Sequence, residues 1–380
     1  MGVLTGFERL STGARIVVVS WLIAISSFYI SAAYFAAAEL GNNRLTSAER
    51  HEARMSLTTV ENGKTEFDSS LLNGENGKHA SKVEVGVYLD RVIGLSTKST
   101  DWTADFYIWF RWTDKNIDPG NSFQVIGGEI IKTVPIITKD DKSNKNTEKY
   151  YTLYRVTARI TKFFNIMRYP LDNHMLTLHI EEKKGTWREF QYIADTTNTK
   201  RSSRVKIPGY KVVGGPQIIV KPHAYKSNRG DPSRVDSGGN TYSQFIYGLA
   251  IQRPDWGLYF KMFQGLFASV AIAFLAFLFQ PTSGERIRLG VGAFFASVAS
   301  SYVNLGQLPG VSMVTMTDMM NGIAMGTIFL SLWASVISAR LATNEQYMDA
   351  SKKLDVIMLT IFVTGFVSAN VVIALSASTL

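Results

Sequence analysis

Five apolar stretches of this chain are long enough to cross a lipid bilayer, which limits its fold more than any other feature. One occupies residues 14–40. The other four follow a polar, strand-forming middle and run over 258–279, 286–305, 317–338 and 354–375. Every backbone polar group inside a bilayer must be hydrogen bonded within the protein, so we expect each stretch to be a helix. The sequence therefore predicts a membrane protein with helices on both sides of a separate domain.

The first apolar stretch follows Arg9 and contains Arg15 near its start. It is longer than the apolar core of about 7 to 15 residues in a secretory signal peptide, so we predict a retained transmembrane helix. The small residues at 36–38 leave cleavage as the alternative. This gives a cytoplasmic segment and helix, or a signal peptide, at 1–40. A polar linker follows at 41–80, with one short helix near 46–55.

Between residues 81 and 253 the pattern changes to strands. Six segments rich in Val, Ile, Tyr, Thr and Phe alternate in part, and turn-forming stretches such as DKNIDPGN separate them. The segments are VEVGVYLDRVIGL, DFYIWFRWTD, YYTLYRVTARITKFF, HMLTLHIEE, GPQIIVKPHAY and TYSQFIYGLAIQR. They predict an all-β sandwich domain at 81–253, followed by an α-helical transmembrane bundle of four helices at 254–380, with the N-terminal helix as an extra span.

Lysine and arginine predict how the spans are oriented. Basic residues precede the first span, occur at 286 and 288, and occur again at 340, 352 and 353, whereas residues 304–317 contain none. Such residues concentrate on the cytoplasmic side of a membrane. We therefore expect a cytoplasmic N-terminus, with the β-domain and the C-terminus on the extracytoplasmic side.

The stretch GERIRLGVGAFFASVASSYVNL at 284–305 differs from the other spans because small residues dominate it. Small residues let helix backbones approach closely, and lipid does not favour them over Leu or Ile. Steps of four and three residues align one charge, two small residues and two aromatic rings on one side of the helix. These residues are Arg288, Gly292, Phe295, Ala299 and Tyr302. Two interpretations stay open, a helix that lines a pore and a packed helix of a bundle.

Other function classes find little support. The net charge of +9 does not indicate nucleic-acid binding, because no dense basic cluster with interleaved aromatic residues occurs. The chain has no cysteine, which excludes disulfides, thiolate metal sites and cysteine nucleophiles. No phosphate-binding glycine loop, GxSxG or HExxH motif is present. His179 and Glu181 share a strand face, which we interpret as a solvated surface. We therefore expect no enzyme and no cofactor or metal.

Several short motifs occur in an order that resembles one family. RYPLDNHMLTLHIEE, with Pro170 and Asp172, resembles its F-P-F-D loop and the strand that follows, and DFYIWFRWTD resembles a strand with its W-x-D ending. GERIR resembles the start of its pore helix, and residues 302–318 its connection to the third helix. From about residue 81 onward the chain resembles the pentameric ligand-gated ion channels, the Cys-loop receptor superfamily. It resembles the prokaryotic type, which lacks the cysteine pair. The first span has no counterpart in that family.

The resemblance implies that the helix at 284–305 lines a central pore. A ring of apolar side chains can close a pore by dewetting, so Phe295 is the expected gate and Tyr302 a second constriction nearer the outside. Glu285 resembles the acidic ring of cation-selective members, whereas Arg288, one turn further in, would repel cations. Arg288 can also pair with Glu285. The ion preference therefore stays open.

The resemblance also implies a coupling site. Asp172 and Arg253 look like the family's ion pair at the membrane-facing end of the sandwich, with two ordinary surface charges as the alternative. Pro170 belongs to the same loop as Asp172, and Pro309 is expected to stiffen the connection on which these residues press.

The family binds its ligands between subunits in an aromatic cage, which suits cations. The ligand-binding candidates in this chain are Trp187, Tyr225 and Tyr242, with core packing as the alternative for each.

Together these implications predict a homopentamer in the bacterial inner membrane. Its expected partners are membrane lipids, permeant ions and an unknown small extracellular ligand. The alternative is a non-conducting, receptor-like scaffold or sensor with the same fold that acts through its first helix. The bulk of Phe295 and Tyr302 and the charge of Arg288 favour that alternative. A tethered carbohydrate-binding sandwich is a third interpretation, which a small-residue span makes hard to defend.

Overall fold

The structure is a computed structural model that describes residues 10–56, 80–141, 149–227, 230, 241–253, 256–306 and 313–378. The chain divides into two compact units. We call the first the helical unit; it comprises Met1–Leu45, Asn165–Asp172 and Asp255–Leu380. The second, the β unit, comprises Thr46–Phe164 and Asn173–Pro254.

The described chain begins with one long helix, continues through strands and ends with four more long helices. In order, the elements are α1 (Thr12–Arg54), β1 (Ser81–Ser96), β2 (Asp101–Trp112), α2 (Pro119–Ser122), β3 (Phe123–Ile126), β4 (Gly128–Asp141), β5 (Lys149–Thr161), β6 (Asn173–Glu182), β7 (Phe190–Ala194), β8 (Lys200–Arg201), β9 (Lys211–Ala224), β10 (Thr241–Gln252), α3 (Trp256–Leu275), α4 (Glu285–Leu305), α5 (Met316–Ala342) and α6 (Met348–Ala377).

The strands of the β unit form two sheets. One has the order β4-β5-β2-β1-β7, with β8 also paired to β1, and the other has the order β3-β6-β10-β9. Alternate residues of β5 are buried, which is the pattern of a strand with one face against a core. Phe110 of the first sheet packs against Phe123 of the second, with ring centroids 5.5 Å apart. The arrangement is sandwich-like, and the prediction of a β domain between helical segments is confirmed.

Each of the six predicted strand segments is a strand, but β3, β4, β7 and β8 were not predicted. In β4 the obstacle is Pro135, because proline lacks the N–H that a central strand must donate. The structure places β4 at the edge of its sheet, where an absent donor on the outer side costs nothing.

Within the described residues, four helices are long and apolar enough to cross a membrane, over Thr12–Arg54, Trp256–Leu278, Met316–Ala342 and Glu345–Ala377. This supports a membrane protein, as the sequence predicted. The fifth predicted span forms the 21-residue helix α4 but is not in this set. Helix α4 is left out because of its composition, since it combines charges at its start with many Gly, Ala and Ser residues. That it crosses the membrane stays a prediction.

Helix α1 runs without a break from Thr12 to Arg54, which differs from the predicted linker at residue 41 and separate helix at 46–55. Gly41 and the two asparagines after it are weak helix formers. Contacts on both sides of them favour continuation: Leu40 is fully buried, and Nη1 of Arg44 donates to the carbonyl oxygen of Ser378 at 3.2 Å. Residues 57–79 of the predicted linker lie outside the described residues.

One face of α1 packs against α5 and α6. The hydroxyl groups of Tyr29 and Thr327 are hydrogen bonded at 2.8 Å, and the rings of Trp21 and Trp333 have centroids 6.5 Å apart. Gly365 of α6 allows the close approach, because a Cβ there would lie 2.4 Å from the Tyr29 ring. The extra helix is therefore an integral part of the helical unit.

Candidate functional site

Helix α4 has two faces of opposite character. All six residues predicted to line a pore, Glu285, Arg288, Gly292, Phe295, Ala299 and Tyr302, lie on the exposed face. The exposed fractions are large where the side chains are large, at 78% for Arg288, 67% for Phe295 and 72% for Tyr302. The helical unit therefore packs none of these residues into its own core.

The opposite face of α4 packs against α3 and α5. Gly290 lies against Leu332 of α5 so closely that a Cβ on Gly290 would stand 2.2 Å from Cδ2 of the leucine. At the far end, Nδ2 of Asn304 donates to the carbonyl oxygen of Met262 in α3 at 3.3 Å. The small residues of α4 thus have different surroundings. Those on the packed face permit close helix contact, whereas a Cβ on Gly292 would have no neighbouring atom within 4 Å.

Arg286, two residues before Arg288, is the charged residue of this packed face. Only 1% of its side chain is exposed, and its Nη2 lies 2.8 Å from Oδ1 of Asp355 in α6, whose side chain is 5% exposed. The angle of this contact falls outside hydrogen-bond geometry, so the attraction is mainly between the charges. Nε donates to the carbonyl oxygen of Ala276 at 2.9 Å, and Nη1 to Oγ of Ser338 at 3.3 Å.

This arginine therefore joins four segments of the helical unit: α4, α5, α6 and the turn after α3. The sequence pattern groups Arg286 with Arg288 among the cytoplasmic basic residues and does not single out Asp355. The sequence did contain an indication, because an acidic residue at the start of an otherwise apolar span is usually paired with a basic residue.

The predicted pairing of Arg288 with Glu285 is present. Nη1 of Arg288 donates to Oε1 of Glu285 at 2.8 Å, one turn apart on the exposed face. The positive charge that the arginine brings to this face is therefore partly neutralised by its neighbour.

Residues 165–172 connect β5 to β6 but belong to the helical unit. The carbonyl oxygen of Met167 accepts from the backbone N–H of Met316 at 2.7 Å, and Nη1 of Arg168 donates to the carbonyl oxygen of Ala377 at 3.1 Å. Burial lowers the pKa of Arg168, and the nearby carboxylate of Asp172 raises it part of the way back. Asp172 is buried, and Pro170 follows a cis peptide bond. This loop is thus fixed to the ends of α5 and α6.

Arg253 directly follows the last strand of the β unit, β10. Its guanidinium carbon lies 4.1 Å from the centroid of the Tyr210 ring, and Nη1 donates to the carbonyl oxygen of Gly209 at 3.3 Å. Asp172 and Arg253 belong to different units, and their pairing stays a prediction. Pro309 lies outside the described residues.

The three candidate ligand-binding aromatics come from neighbouring segments of the β unit. The rings of Tyr225 and Tyr242 have centroids 5.7 Å apart, at the ends of β9 and β10 that pair with each other. The backbone N–H of Trp187 donates to the carbonyl oxygen of Thr241, the residue before Tyr242, at 2.7 Å. The structure thus brings the three residues to one end of the second sheet.

A buried carboxylate lies beside these aromatics. Glu181 is fully buried, and the hydroxyl of Tyr225 donates to its two oxygens at 3.1 and 3.0 Å. The side-chain amides of Gln124 and Gln244 also donate to it, at 3.2 and 3.3 Å. This corrects the interpretation of His179 and Glu181 as a solvated surface. The error arose because side chains from the neighbouring strands, Gln124 of β3 and Gln244 of β10, together with Tyr225, surround the carboxylate on the strand face that the sequence left open.

His179 belongs to the same network through a 2.9 Å hydrogen bond between its Nδ1 and Oε1 of Gln244. Burial lowers the pKa of His179 to about 4, since the imidazolium form would lose its hydration. The positive charges of Lys221, His223 and Arg54 act in the same direction, whereas the bond to Gln244 opposes them. The imidazole is therefore neutral at pH 7.

A comparison of the chain with models of known protein families finds no family that matches. The likeness to ligand-gated channels therefore rests on the motifs described above, and membership of that family stays a prediction.

Proposed function

We propose that the protein is a pentameric ligand-gated ion channel in which α4 lines a central pore. The observation that carries this proposal is the exposed face of α4. A face with a charged pair at one end, small residues along it and two aromatic rings is poorly suited to lipid. Other copies of the chain arranged around a water-filled axis would give these residues the surroundings they need.

The exposed face of α6 provides an internal contrast. After Lys352 at its start, its exposed large residues are valines and a leucine, with Val356 at 66% and Val367 at 55%. Such a face suits hydrocarbon. Helix α4 also exposes Ile287, Val291 and Val303, so the contrast lies in the stripe that carries the charged pair and the two aromatic rings. We infer that this stripe and the exposed face of α6 have different neighbours.

Two features of the candidate site support ligand gating. Of the tyrosine pair beside the buried Glu181, Tyr225 is only half-buried and offers an aromatic face, which favours a cationic ligand. The loop at 165–172 is covalently continuous with β5 and β6 and is hydrogen bonded to the ends of α5 and α6. In the proposed channel, this loop carries a change in the β unit to the helices.

The deciding experiment compares currents from the wild type, Phe295→Ala and Phe329→Ala in planar bilayers. Phe329 is a matched control, because it is an exposed phenylalanine of α5 outside the proposed pore. We expect Phe295→Ala to pass current without ligand, since it removes the apolar ring that closes the pore, while Phe329→Ala behaves like the wild type.

Because the chain contains no cysteine, Ala299→Cys provides an independent check. A water-soluble thiol reagent should block the current of a double variant with Phe295→Ala. Silence from all variants, when membrane insertion and oligomer formation are verified, would reject the channel and favour a non-conducting receptor-like scaffold.

A further inference from the structure

One side of helix α5 carries an exposed apolar stripe that ends in a positive charge. The stripe consists of Phe329, Trp333, Val336 and Arg340, which recur at intervals of three or four residues and therefore share one side of the helix. The three apolar side chains are 53%, 51% and 40% exposed. At a rise of about 1.5 Å per residue the stripe is about 16 Å long, which is about half the hydrocarbon thickness of a bilayer. Its length thus matches one leaflet.

Helix α1 brings a second positive charge to the charged end of this stripe. The two helices run antiparallel, because Trp21 contacts Trp333 whereas Tyr29, further along α1, is hydrogen bonded to Thr327, which precedes Trp333. Continued for about two more turns, this register places Arg15 level with the charged end of the stripe. Arg15 precedes Tyr29 by about four turns, so it lies on the same side of α1, and its side chain is exposed.

The start of helix α6 lies at the same level. The hydroxyl groups of Ser338 and Ser351 are hydrogen bonded at 2.8 Å, and the exposed Lys352 directly follows Ser351. Within the described residues, the side chains of Arg340 and Lys352 form neither a hydrogen bond nor an ion pair. Their charges are therefore available to a further partner.

Basic residues outnumber acidic ones where these three helices meet. The basic residues are Arg15, Arg340, Lys352 and Lys353, and the acidic ones are Glu345 and Asp349. The charged residues at the start of α4 are already paired, as described above. A guanidinium presents its N–H groups as a planar fork that fits phosphate oxygens, and basic residues between membrane helices at a bilayer surface bind anionic headgroups. The excess of positive charge thus favours an anion, and a phosphate in particular.

We propose that this part of the helical unit binds an anionic phospholipid, with its phosphate at Arg340 and Arg15 and an acyl chain along the stripe of α5. A soluble phosphate would pair with the arginines but would leave the apolar stripe uncovered. A zwitterionic lipid would cover the stripe but would bring no net negative charge to the arginines. An anionic lipid does both. This inference involves only α1, α5 and α6 and does not depend on whether the protein conducts ions.

Quenching of tryptophan fluorescence by brominated lipids tests the proposal with the full-length protein in vesicles. Each vesicle preparation contains phosphatidylcholine and a fixed fraction of either phosphatidylglycerol or phosphatidylcholine that is brominated on its acyl chains. The part of the quenching that is lost in Trp333→Phe reports on the stripe. We expect brominated phosphatidylglycerol to bind there about fivefold more tightly than brominated phosphatidylcholine, and soluble glycerol phosphate should not compete with it.

Arg340→Gln should remove most of this preference, because each basic residue at a membrane surface contributes about a fivefold change in binding. Lys261→Gln is the matched control and should keep it. Lys261 is exposed at the start of α3, whose neighbour Met262 contacts the end of α4, whereas Arg340 lies level with the start of α4.

The proposal is overturned if the two brominated lipids quench Trp333 alike, or if Arg340→Gln and Lys261→Gln show the same preference. Competition by glycerol phosphate would also overturn it, because the site would then recognise the phosphate alone. If neither lipid quenches Trp333, a second copy of the chain covers the stripe and no lipid binds there.

Discussion

Arg286 and Asp355 form an ion pair across the helical unit, with Nη2 of the arginine 2.8 Å from Oδ1 of the aspartate and both side chains almost fully buried. Such a pair is tolerated because each charge offsets the lost hydration of the other, and the guanidinium also donates to the carbonyl oxygen of Ala276 and the hydroxyl of Ser338. It follows that the contribution of each residue to stability depends on the presence of the other.

Removing one member of this pair should lower the stability of the protein more than removing both members. We expect Asp355→Leu to lower the free energy of unfolding by about 3–5 kcal/mol, because it leaves Arg286 buried without its counter-charge. The double variant Arg286→Met/Asp355→Leu should recover most of the loss. Thermal unfolding in detergent measures both, with Glu285→Gln as an exposed control that should have little effect. A double variant no more stable than Asp355→Leu would contradict the dependence.

Two glycines of α4 should respond in opposite directions to the same substitution. Gly290→Ala places a methyl group against Leu332 and should destabilise the protein by about 1–3 kcal/mol. Gly292→Ala places its methyl group in open space and should stabilise the helix by about 0.5–1 kcal/mol, because alanine loses less backbone entropy. Chemical denaturation in detergent gives both values. Equal effects would show that the two faces of α4 do not differ in packing.

The lowered pKa of His179 should make the stability of the protein depend on pH. The unfolded chain protonates this histidine with a pKa near 6.5, but burial lowers the folded value to about 4, so the unfolded state binds more protons between these values. Stability from this group is therefore complete above about pH 6.5 and is lost as the pH falls toward 4, by at most roughly 3 kcal/mol. The unfolding midpoint of His179→Gln should depend less on pH between about 4 and 6.5 than the wild type's, and an equal slope would contradict the lowered pKa.

The charge of Arg288 should influence which ions pass if α4 lines a pore. An elementary charge about 6 Å from a passing ion in water contributes about 0.7 kcal/mol, or roughly a threefold change in relative permeability. Arg288→Gln in a Phe295→Ala background should therefore raise the cation-to-anion permeability ratio by at least about threefold, measured from the reversal potential under a salt gradient. Lys352→Gln, at an exposed position of α6, is the charge-matched control. An unchanged ratio would place Arg288 outside the ion path.

The exposed stripe of α4 was predictable from the sequence, because the helical period alone determines which residues share a face of a helix. The stripe from Arg288 to Tyr302 needed no tertiary information, and the structure places all of it on the exposed face. The different surroundings of Arg286 and Arg288 were not predictable in the same way. They depend on Asp355 of α6, which comes within reach of the Arg286 side chain only when the helices of the helical unit pack together.

The same limit explains the errors in the β unit and in α1. Glu181 has the alternation of a solvent-facing strand residue, and only the partners from β3, β10 and Tyr225 make it a buried one. Helix α1 continues through Gly41 because of contacts near the far end of the chain. In each case a long-range contact overrode a local pattern.

The packing of α1 has a consequence for synthesis. Its hydrogen-bond partner Thr327 lies 298 residues further along the chain than Tyr29. At roughly 5–20 residues per second, a ribosome needs about 15–60 s to make that intervening chain. During this interval α1 lies in the bilayer without its α5 partner. The exposed side chains of Ile16, Ile23 and Ile30 suit contact with lipid. Helix α1 thus docks against α5 long after its own synthesis.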